Sequence, residues 1–290
     1  MILCPRCADT VGGPKLSCES CDFTAHNGSW FDFEPAESIE SFFDELEFDH
    51  RFVAEPTHYW SRARRELLLD VLRTHVSPSS RVLEVGCGCG YMSKSFAAAG
   101  YDVWSADLSK NALGYSAQNG LEQLCRVSIT NLPFKDEFDA VVSFDVVEHI
   151  PDHRACLEQL RDALVPGGTL IITVPAHPAL WSSWDEIQQH VRRFRPSEIE
   201  SLVKEAGLEV ITVRQFFAAL VLPALAAAAW DRLKGRGQGA EQRADQHRAM
   251  WTPAVISQVA YQALAIERRL LNTPLPGLGT SLLVVARRIQ

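Results

Sequence analysis

The sequence predicts an α/β chain: seven strands in a mostly parallel sheet, with helices on both faces. A small cysteine-rich unit stands in front, and a helical insertion precedes the last strand. Three observations carry that prediction. From Arg81 onward, short strand-like runs alternate with helical stretches, the pattern of a parallel sheet between two helical layers. One of those runs, "RVLEV", passes directly into the glycine-rich "GCGCG" and then into a helix. Ahead of the alternation stand two Cys-x2-Cys pairs, Cys4/Cys7 and Cys18/Cys21.

Length and composition allow this architecture. The chain has 290 residues, of which 47% are hydrophobic and 22% charged, a globular composition with room for a full core and an appendage. Its net charge of −8 is unevenly spread: residues 1–55 hold three basic residues against twelve acidic ones, −9, which leaves +1 for the remaining 235. Such an acidic front argues against nucleic acid as a partner. No basic-then-apolar preface precedes "CPRC", so a cytoplasmic, reducing setting is expected, in which the eight cysteines are thiols or metal ligands.

The elements follow in order. In "CPRCADTVGGPKLSCESC", Cys4, Cys7, Cys18 and Cys21 come from two tight turns, the arrangement that suits tetrahedral zinc. Four thiolates close the shell without His26, so the expected Zn2+ site is structural. This unit, residues 1–33, is too small to fold on core burial alone, and the metal would supply its stability. Residues 34–57 read as an acidic connector with short amphipathic helical character. The main domain is expected over 58–290, opening with a helix over 58–76 whose packed face carries Leu67, Leu68, Val71 and Leu72.

Strands are then predicted at "RVLEV", "YDVWSAD", "CRVSIT", "FDAVVSF", "GTLIITV", "LEVITVRQF" and "SLLVVARR". The intervening helices are "YMSKSFAAAG", closed by Gly100, then "SKNALGYSAQN", "HRACLEQLRDALV" and "PSEIESLVKEAG", the last with Ser197 as its cap. The insertion, 216–280, begins with "FFAALVLPALAAAAW", fifteen uncharged residues. That falls short of the roughly twenty needed to span a bilayer. It reads either as a buried helix forming a lid or pocket wall, or as a helix lying at a membrane surface beside Arg232, Lys234 and Arg236.

In "EVGCGCG" the glycines permit a sharp turn and close backbone approach to a ligand, while the following helix offers free N–H groups. A dinucleotide fingerprint fails, because the sixth position counted from Gly86 is Tyr91, and no Gly-Lys-Ser/Thr follows to make a P-loop. The spacing is GxGxG, preceded by Glu84, and Cys87 and Cys89 are read as small residues between glycines.

These residues resemble the first motif of the class I S-adenosylmethionine-dependent methyltransferases, which have a Rossmann-like sheet. "SADLS" resembles the end of that family's second strand, "ITNLPFKDEFDAVVSFDVVEHIPD" its adenine-covering segment, and "LVPGGTLIITVPA" its fifth-strand motif. The resemblance implies S-adenosyl-L-methionine as cofactor. It implies a donor site at Glu84, Gly86, Cys87, Gly88, Gly90, Asp107, Leu108, Thr130, Asn131, Phe144 and Asp145, with Asp107 on the ribose hydroxyls. The cysteine unit with its trailing "NGSWFDF" resembles zinc ribbons at the front of some bacterial methyltransferases.

The likeness is nearest to the bacterial type 11 branch, through "HYWSRAR" at 58–64 and "VPAHPALWSSWDEIQQHVRRFR" after the fifth strand. It implies acceptor contacts at Tyr59, Trp60, Trp181, Asp185, Arg192 and Arg193. Adjacent arginines suit phosphate or carboxylate recognition, though "RRFR" could equally be a solvated charge run. His149 and His190 are candidate bases for an acceptor that must lose a proton, against structural roles for each. The expected activity is methyl transfer to a small-molecule or lipid-linked acceptor in the cytoplasm, with residues 216–236 as the candidate for peripheral contact at the inner face of the membrane. Two other readings stand beside it: an RNA methyltransferase that uses the ribbon for recognition, and a non-catalytic donor-binding scaffold.

Overall fold

The computed structural model describes residues 1–26, 28–34, 45–234, 254–270 and 277–289. The front unit contributes β1 (Val11–Gly12), β2 (Ser17–Cys18) and β3 (Phe31–Asp32), followed by α1 (Glu45–Ala54) and α2 (Tyr59–His75). Then come β4 (Arg81–Val85), α3 (Tyr91–Ala98), β5 (Asp102–Asp107), α4 (Lys110–Gln118), β6 (Leu124–Arg126) and β7 (Phe138–Phe144). The chain continues with α5 (His153–Ala163), β8 (Leu164–Pro175), α6 (Ser183–Ile187), α7 (Pro196–Glu205) and β9 (Leu208–Phe216). It ends with α8 (Val221–Lys234), α9 (Ala254–Leu270) and β10 (Ser281–Arg288).

All seven expected strands are present, and the sheet holds an eighth. Its order is β3-β6-β5-β4-β7-β8-β10-β9, parallel from β3 to β8, with β10 antiparallel to both neighbours. The chain leaves β4 toward β5 and β6, then returns to the other side of β4 with β7. That reversal opens a crevice beyond the carboxyl ends of β4 and β7, where ligands bind in sheets of this kind.

The eighth strand comes from the front unit. Phe31 and Asp32 pair with Cys125 and Arg126, Leu3 N donates to Pro133 O at 2.6 Å, and the Phe31 ring stacks on Trp104 at 5.8 Å. Cys4, Cys18, Phe23 and Phe33 share one continuous core with Leu83, Val141 and Leu170. The cysteine unit is therefore built onto the sheet edge. On the other face, Val82, Ala140, Val142 and Val285 pack with Leu67, Leu68 and Leu72 of α2 and Leu264 of α9. Arg268 clamps α9 to α2 through Glu66 and Asp70, both at 2.6 Å.

Local signals explain the helix starts. Ser109 caps α4 by accepting from Ala112 N at 3.3 Å, and Asp152 caps α5 by accepting from Ala155 N at 3.0 Å. The cap expected at Ser197 falls elsewhere. Pro196 takes the first helical position of α7, Arg195 becomes the cap residue, and Glu198 accepts from Arg195 N at 2.8 Å. Proline is preset for that position, so the boundary moves back.

The insertion is buried in part: Phe216, Phe217 and Leu264 join the core. Val221 and Ala228 of α8 are buried, but Leu222 is 77% exposed, Trp230 58% and Leu233 84%. Arg232 ties the helix to Ala179 O at 2.6 Å, and Asp231 accepts from Ser183 N at 2.6 Å. Arg236 lies outside the described residues. Among the described residues no helix is long and apolar enough to cross a membrane.

Candidate active site

The cavity at the switch point has a volume of about 890 Å³ and is walled by β4 and its turn, the ends of β5 and β7, α1, α2 and the 184–193 segment. Gly86 has φ +81°, and a Cβ there would meet Val146 Cγ2 at 2.3 Å. Gly88 has φ +55°, and a Cβ there meets no protein atom within 4 Å. The first glycine is thus required by packing, the second by conformation, with space left over it for a ligand. Gly86 N and Cys87 N both donate to Ala106 O, at 2.8 and 3.0 Å, fixing the turn against β5.

Asp107 faces this turn. Its carboxylate accepts from Gly88 N and Ser109 N, each at 2.9 Å, an arrangement that orients both oxygens before any ligand arrives. Burial raises its pKa, opposed by those two N–H donors. Glu84, 3% exposed, accepts from the Ser93 hydroxyl, and burial pushes its carboxyl up to about 8. The Cys87 thiol is also raised well above its ordinary value by burial and by the nearby Asp107 and Glu84 carboxylates. It stays a protonated thiol, as the reading of small residues between glycines requires.

At the other end of the cavity Asp145 takes a left-handed conformation, φ 57°, straight after β7. Arg64 of α2 holds it at 2.6 Å, and the Thr173 hydroxyl donates to it at 2.9 Å. Glu148, His149 and His190 lie beyond. Asp185 is the organiser here: fully buried, it accepts from Ser182 N at 2.9 Å, bonds His190 Nδ1 at 2.8 Å, and accepts from Arg193 Nε at 2.7 Å. The hydrogen bonds to His190 and Arg193 overcome burial and hold its carboxyl below the usual range. His149 bonds Gln189 O through Nδ1 at 3.3 Å, and burial together with the neighbouring His190 brings it down to about 4, so its ring is neutral.

The predicted residues divide accordingly. Glu84, Gly86, Cys87, Gly88, Asp107, Leu108, Phe144 and Asp145 line the cavity, as do Tyr59, Trp60, His149, His190 and Arg193. Gly90, Thr130 and Asn131 do not: Gly90 packs against Leu121 and Ser116, and the other two are exposed beside the mouth. Trp181, Asp185 and Arg192 also stand outside the wall. Arg192 is paired with Glu198 at 3.1 Å and stacked on Phe194, while Arg193 already serves Asp185. The arginine pair is therefore committed to this chain's own carboxylates, which removes the basis for reading it as a free anion clamp.

Three lining groups have no signature in the sequence. Arg64 is visible there only as the last letter of "HYWSRAR", with no role assigned to it, Glu148 as one letter of "VEHIPD", and Phe48, Arg51 and Glu55 as members of an acidic connector that is in fact a wall of the cavity. The charge of α1, with no glycine or histidine motif beside it, conceals its role.

Comparison with known proteins decides what this cavity belongs to. A family model described as "Methyltransferase domain" matches residues 58–213. The chain belongs to that methyltransferase family. Its sequence is 28% identical over 203 residues to the ubiquinone biosynthesis O-methyltransferase of Xanthomonas campestris pv. campestris, covering 60% of this chain and 84% of that one. The corresponding protein of Aromatoleum aromaticum is 30% identical over 149 residues, 44% of this chain and 64% of its own. Among solved structures, a chain from the complex of the Haloferax volcanii Trm112 methyltransferase activator with a methyltransferase superposes with TM-score 0.56 at 18% identity. It covers 87% of this chain and 98% of the other. Haemonchus contortus phosphoethanolamine N-methyltransferase 2, solved with S-adenosyl-L-methionine, gives 0.55 at 17%, covering 89% of this chain and 62% of its own. The protein is an S-adenosylmethionine-dependent methyltransferase on a Rossmann-like sheet.

Proposed function

We propose that this methyltransferase acts on a hydroxyl oxygen of a small, lipid-linked acceptor. The carrying observation is that one cavity joins the glycine turn and Asp107 at one end to two imidazoles and the aromatic rings of Tyr59, Trp60 and Trp184 at the other. A relative named for ubiquinone biosynthesis O-methylation supports the acceptor class.

The donor end suits S-adenosyl-L-methionine. Asp107, already oriented by two N–H groups, would accept from the vicinal ribose hydroxyls, with Leu108, Ser109 and Ile129 beside it. Gly86, Cys87 and Gly88 give the backbone its close approach, and Glu84, Phe144 and Asp145 complete the wall. When bound, the donor supplies an electrophilic methyl group on a sulfonium. The chain's own part is positioning and proton management. The aromatic rings exclude water from the acceptor, and His190, oriented through Nδ1 by Asp185, stands with the neutral His149 where a proton can be taken.

The front unit is proposed to hold structural zinc. Cys4 and Cys21 sulfurs are 3.4 Å apart and those of Cys7 and Cys18 3.5 Å, with all four within 4.8 Å of one another. Tetrahedral Zn–S bonds of about 2.3 Å set sulfurs about 3.8 Å apart, so small shifts would seat the ion. Burial opposes ionisation of Cys4, but the Arg6 and Cys7 amides outweigh it and bring that thiol down to about 7. The proposed setting is the cytoplasm, with peripheral membrane contact through α8.

The test is to incubate the full chain with methyl-labelled donor and bacterial extract, then separate lipid, small-molecule, RNA and protein fractions. Label in the lipid or small-molecule fraction is expected, and His190→Ala and His149→Ala should cut it while donor binding persists. Label confined to RNA or protein would overturn the acceptor class.

A further inference from the structure

The front unit meets the sheet at the end where the cavity opens. Phe31 and Asp32 of β3 pair with Cys125 and Arg126, the last two residues of β6. Arg126, opposite Asp32 on one side, is opposite Asp107 of β5 on the other. Asp32, Arg126 and Asp107 therefore form one row across three strands, with the carboxylate that faces the glycine turn at its inner end.

Side chains carry the contact further. Glu34, at the exit of the front unit, accepts from Ser128 N at 2.7 Å, and Ser128 and Ile129 line the cavity. Asp32 pairs at 3.4 Å with Arg126, whose Nε donates to Leu108 O at 3.3 Å, and Leu108 lines the cavity next to Asp107. Trp30 packs against the cluster of Cys87, Leu113 and Leu124, which includes the glycine turn. The far end of the loop after β6 is held as well. Leu3 N donates to Pro133 O at 2.6 Å, and Lys135 N to Met1 O at 2.9 Å. The segment that leaves β6 thus has both ends fastened to residues of the front unit.

We propose that the front unit serves methyl transfer directly, through Glu34 and Asp32 as positioning residues that hold the loop after β6 in the shape that takes the donor's adenosine half. Neither residue lines the cavity, so each acts through a neighbour that does: Glu34 through Ser128, Asp32 through Arg126 and Leu108. A backbone N–H donating to a carboxylate is a strong anchor. A loop without it must be ordered at the moment of binding, and that ordering subtracts from affinity. This role rests on the proposed donor placement at Asp107, whereas the fastening of the loop does not.

The full chain is titrated by calorimetry, well below its melting temperature, with S-adenosylhomocysteine and with methylthioadenosine, which lacks the amino-acid end. Glu34→Ala should weaken both by the same factor, about fivefold or more. Glu34→Gln keeps an oxygen that accepts from Ser128 N and should bind within about twofold of the wild type. Amide exchange over residues 127–131 should quicken in Glu34→Ala and slow again in Glu34→Gln. Val11→Ala trims a buried side chain of the front unit and leaves Asp32 and Glu34 in place. It should lower the melting temperature with both affinities unchanged. Unchanged affinity in Glu34→Ala, weakening of S-adenosylhomocysteine alone, or an equal loss in Val11→Ala would overturn the role. Where Glu34→Ala fails to fold, Glu34→Asp, whose arm is one methylene shorter, takes its place in each comparison. Asp107→Ala binding as tightly as the wild type would strike the donor placement and this role together. Weakened binding in Asp107→Ala beside unchanged binding in Glu34→Ala strikes this role alone. The titrations need no acceptor, so they stand whichever fraction the labelling assay marks.

Discussion

At Glu84 the chain places a carboxyl group near the end of β4 on a hydroxyl relay: Ser93 donates to it, and Ser105 donates to Ser93 at 2.7 Å. Burial pushes its pKa to about 8 from an ordinary 4.5. The folded chain therefore keeps a proton that the unfolded chain releases between those values. The contribution to stability is whole below pH 4.5 and is lost as pH rises through 8. A tenfold change in proton affinity corresponds to about 1.4 kcal/mol, so the loss is on the order of a few kcal/mol. Urea denaturation without donor, from about pH 5 to about pH 9, should show wild-type stability falling while Glu84→Gln stays flatter. Parallel profiles would refute the assignment. The position of Glu84 beside the turn was readable from "EVGCGCG", because it follows from strand and turn alone. That of Glu148 beside His190 was not, since His190 and Asp185 come about forty residues further along the chain.

At the scale of elements, the alternating runs were readable because each strand and helix is set by local pattern: seven expected strands form, in the expected places. What local pattern could not convey was where an element docks. β3 is two residues long and joins the sheet only because Cys125 and Arg126 present an open edge. α1 reads as acidic connector, yet the Tyr91 hydroxyl donates to its Phe52 O at 2.7 Å and its Phe48 lines the cavity. α8 left two readings open, and its exposure favours the interfacial one. Leu222, Leu225, Trp230 and Leu233 are all exposed, and at 3.6 residues per turn they fall within an arc of about 140°. The same helix is tied to Ser183, next to Trp184 of the cavity wall, so a surface-bound α8 would bring the acceptor mouth to the lipid. Leu222→Ser combined with Leu233→Ser should cut co-sedimentation with anionic vesicles by about tenfold or more, with far-ultraviolet dichroism unchanged. Equal sedimentation of wild type and variant would sink the membrane reading.

For the whole molecule the consequential fact is that the cysteine unit and the sheet share one core. Phe23 packs on Phe33 at 6.2 Å, Phe33 on Phe134 at 5.9 Å, and Phe134 on Phe138 of β7 at 5.1 Å, a continuous aromatic path from the knuckles to the centre of the sheet. Arg126, 1% exposed, pairs with Asp32 of β3 at 3.4 Å, which adds a buried charge to the seam. A freestanding ribbon would lose its metal and unfold alone, leaving the methyltransferase sheet as it was. A ribbon joined by this seam cannot, because its unfolding would expose Phe33, Phe134 and Trp104 and part the buried Arg126 from Asp32. Removal of the proposed zinc by chelation, or Cys18→Ser, should therefore lower the melting temperature of the entire chain in one transition. Loss of about 3 kcal/mol would move it by about 5 °C for a chain of this size. Calorimetry distinguishes the cases: two separate transitions, with the larger one unmoved, would mean that the seam transmits nothing. A single displaced transition would make the front unit part of the catalytic domain's stability, and the donor affinity of Cys18→Ser should then fall at temperatures where the wild type still binds.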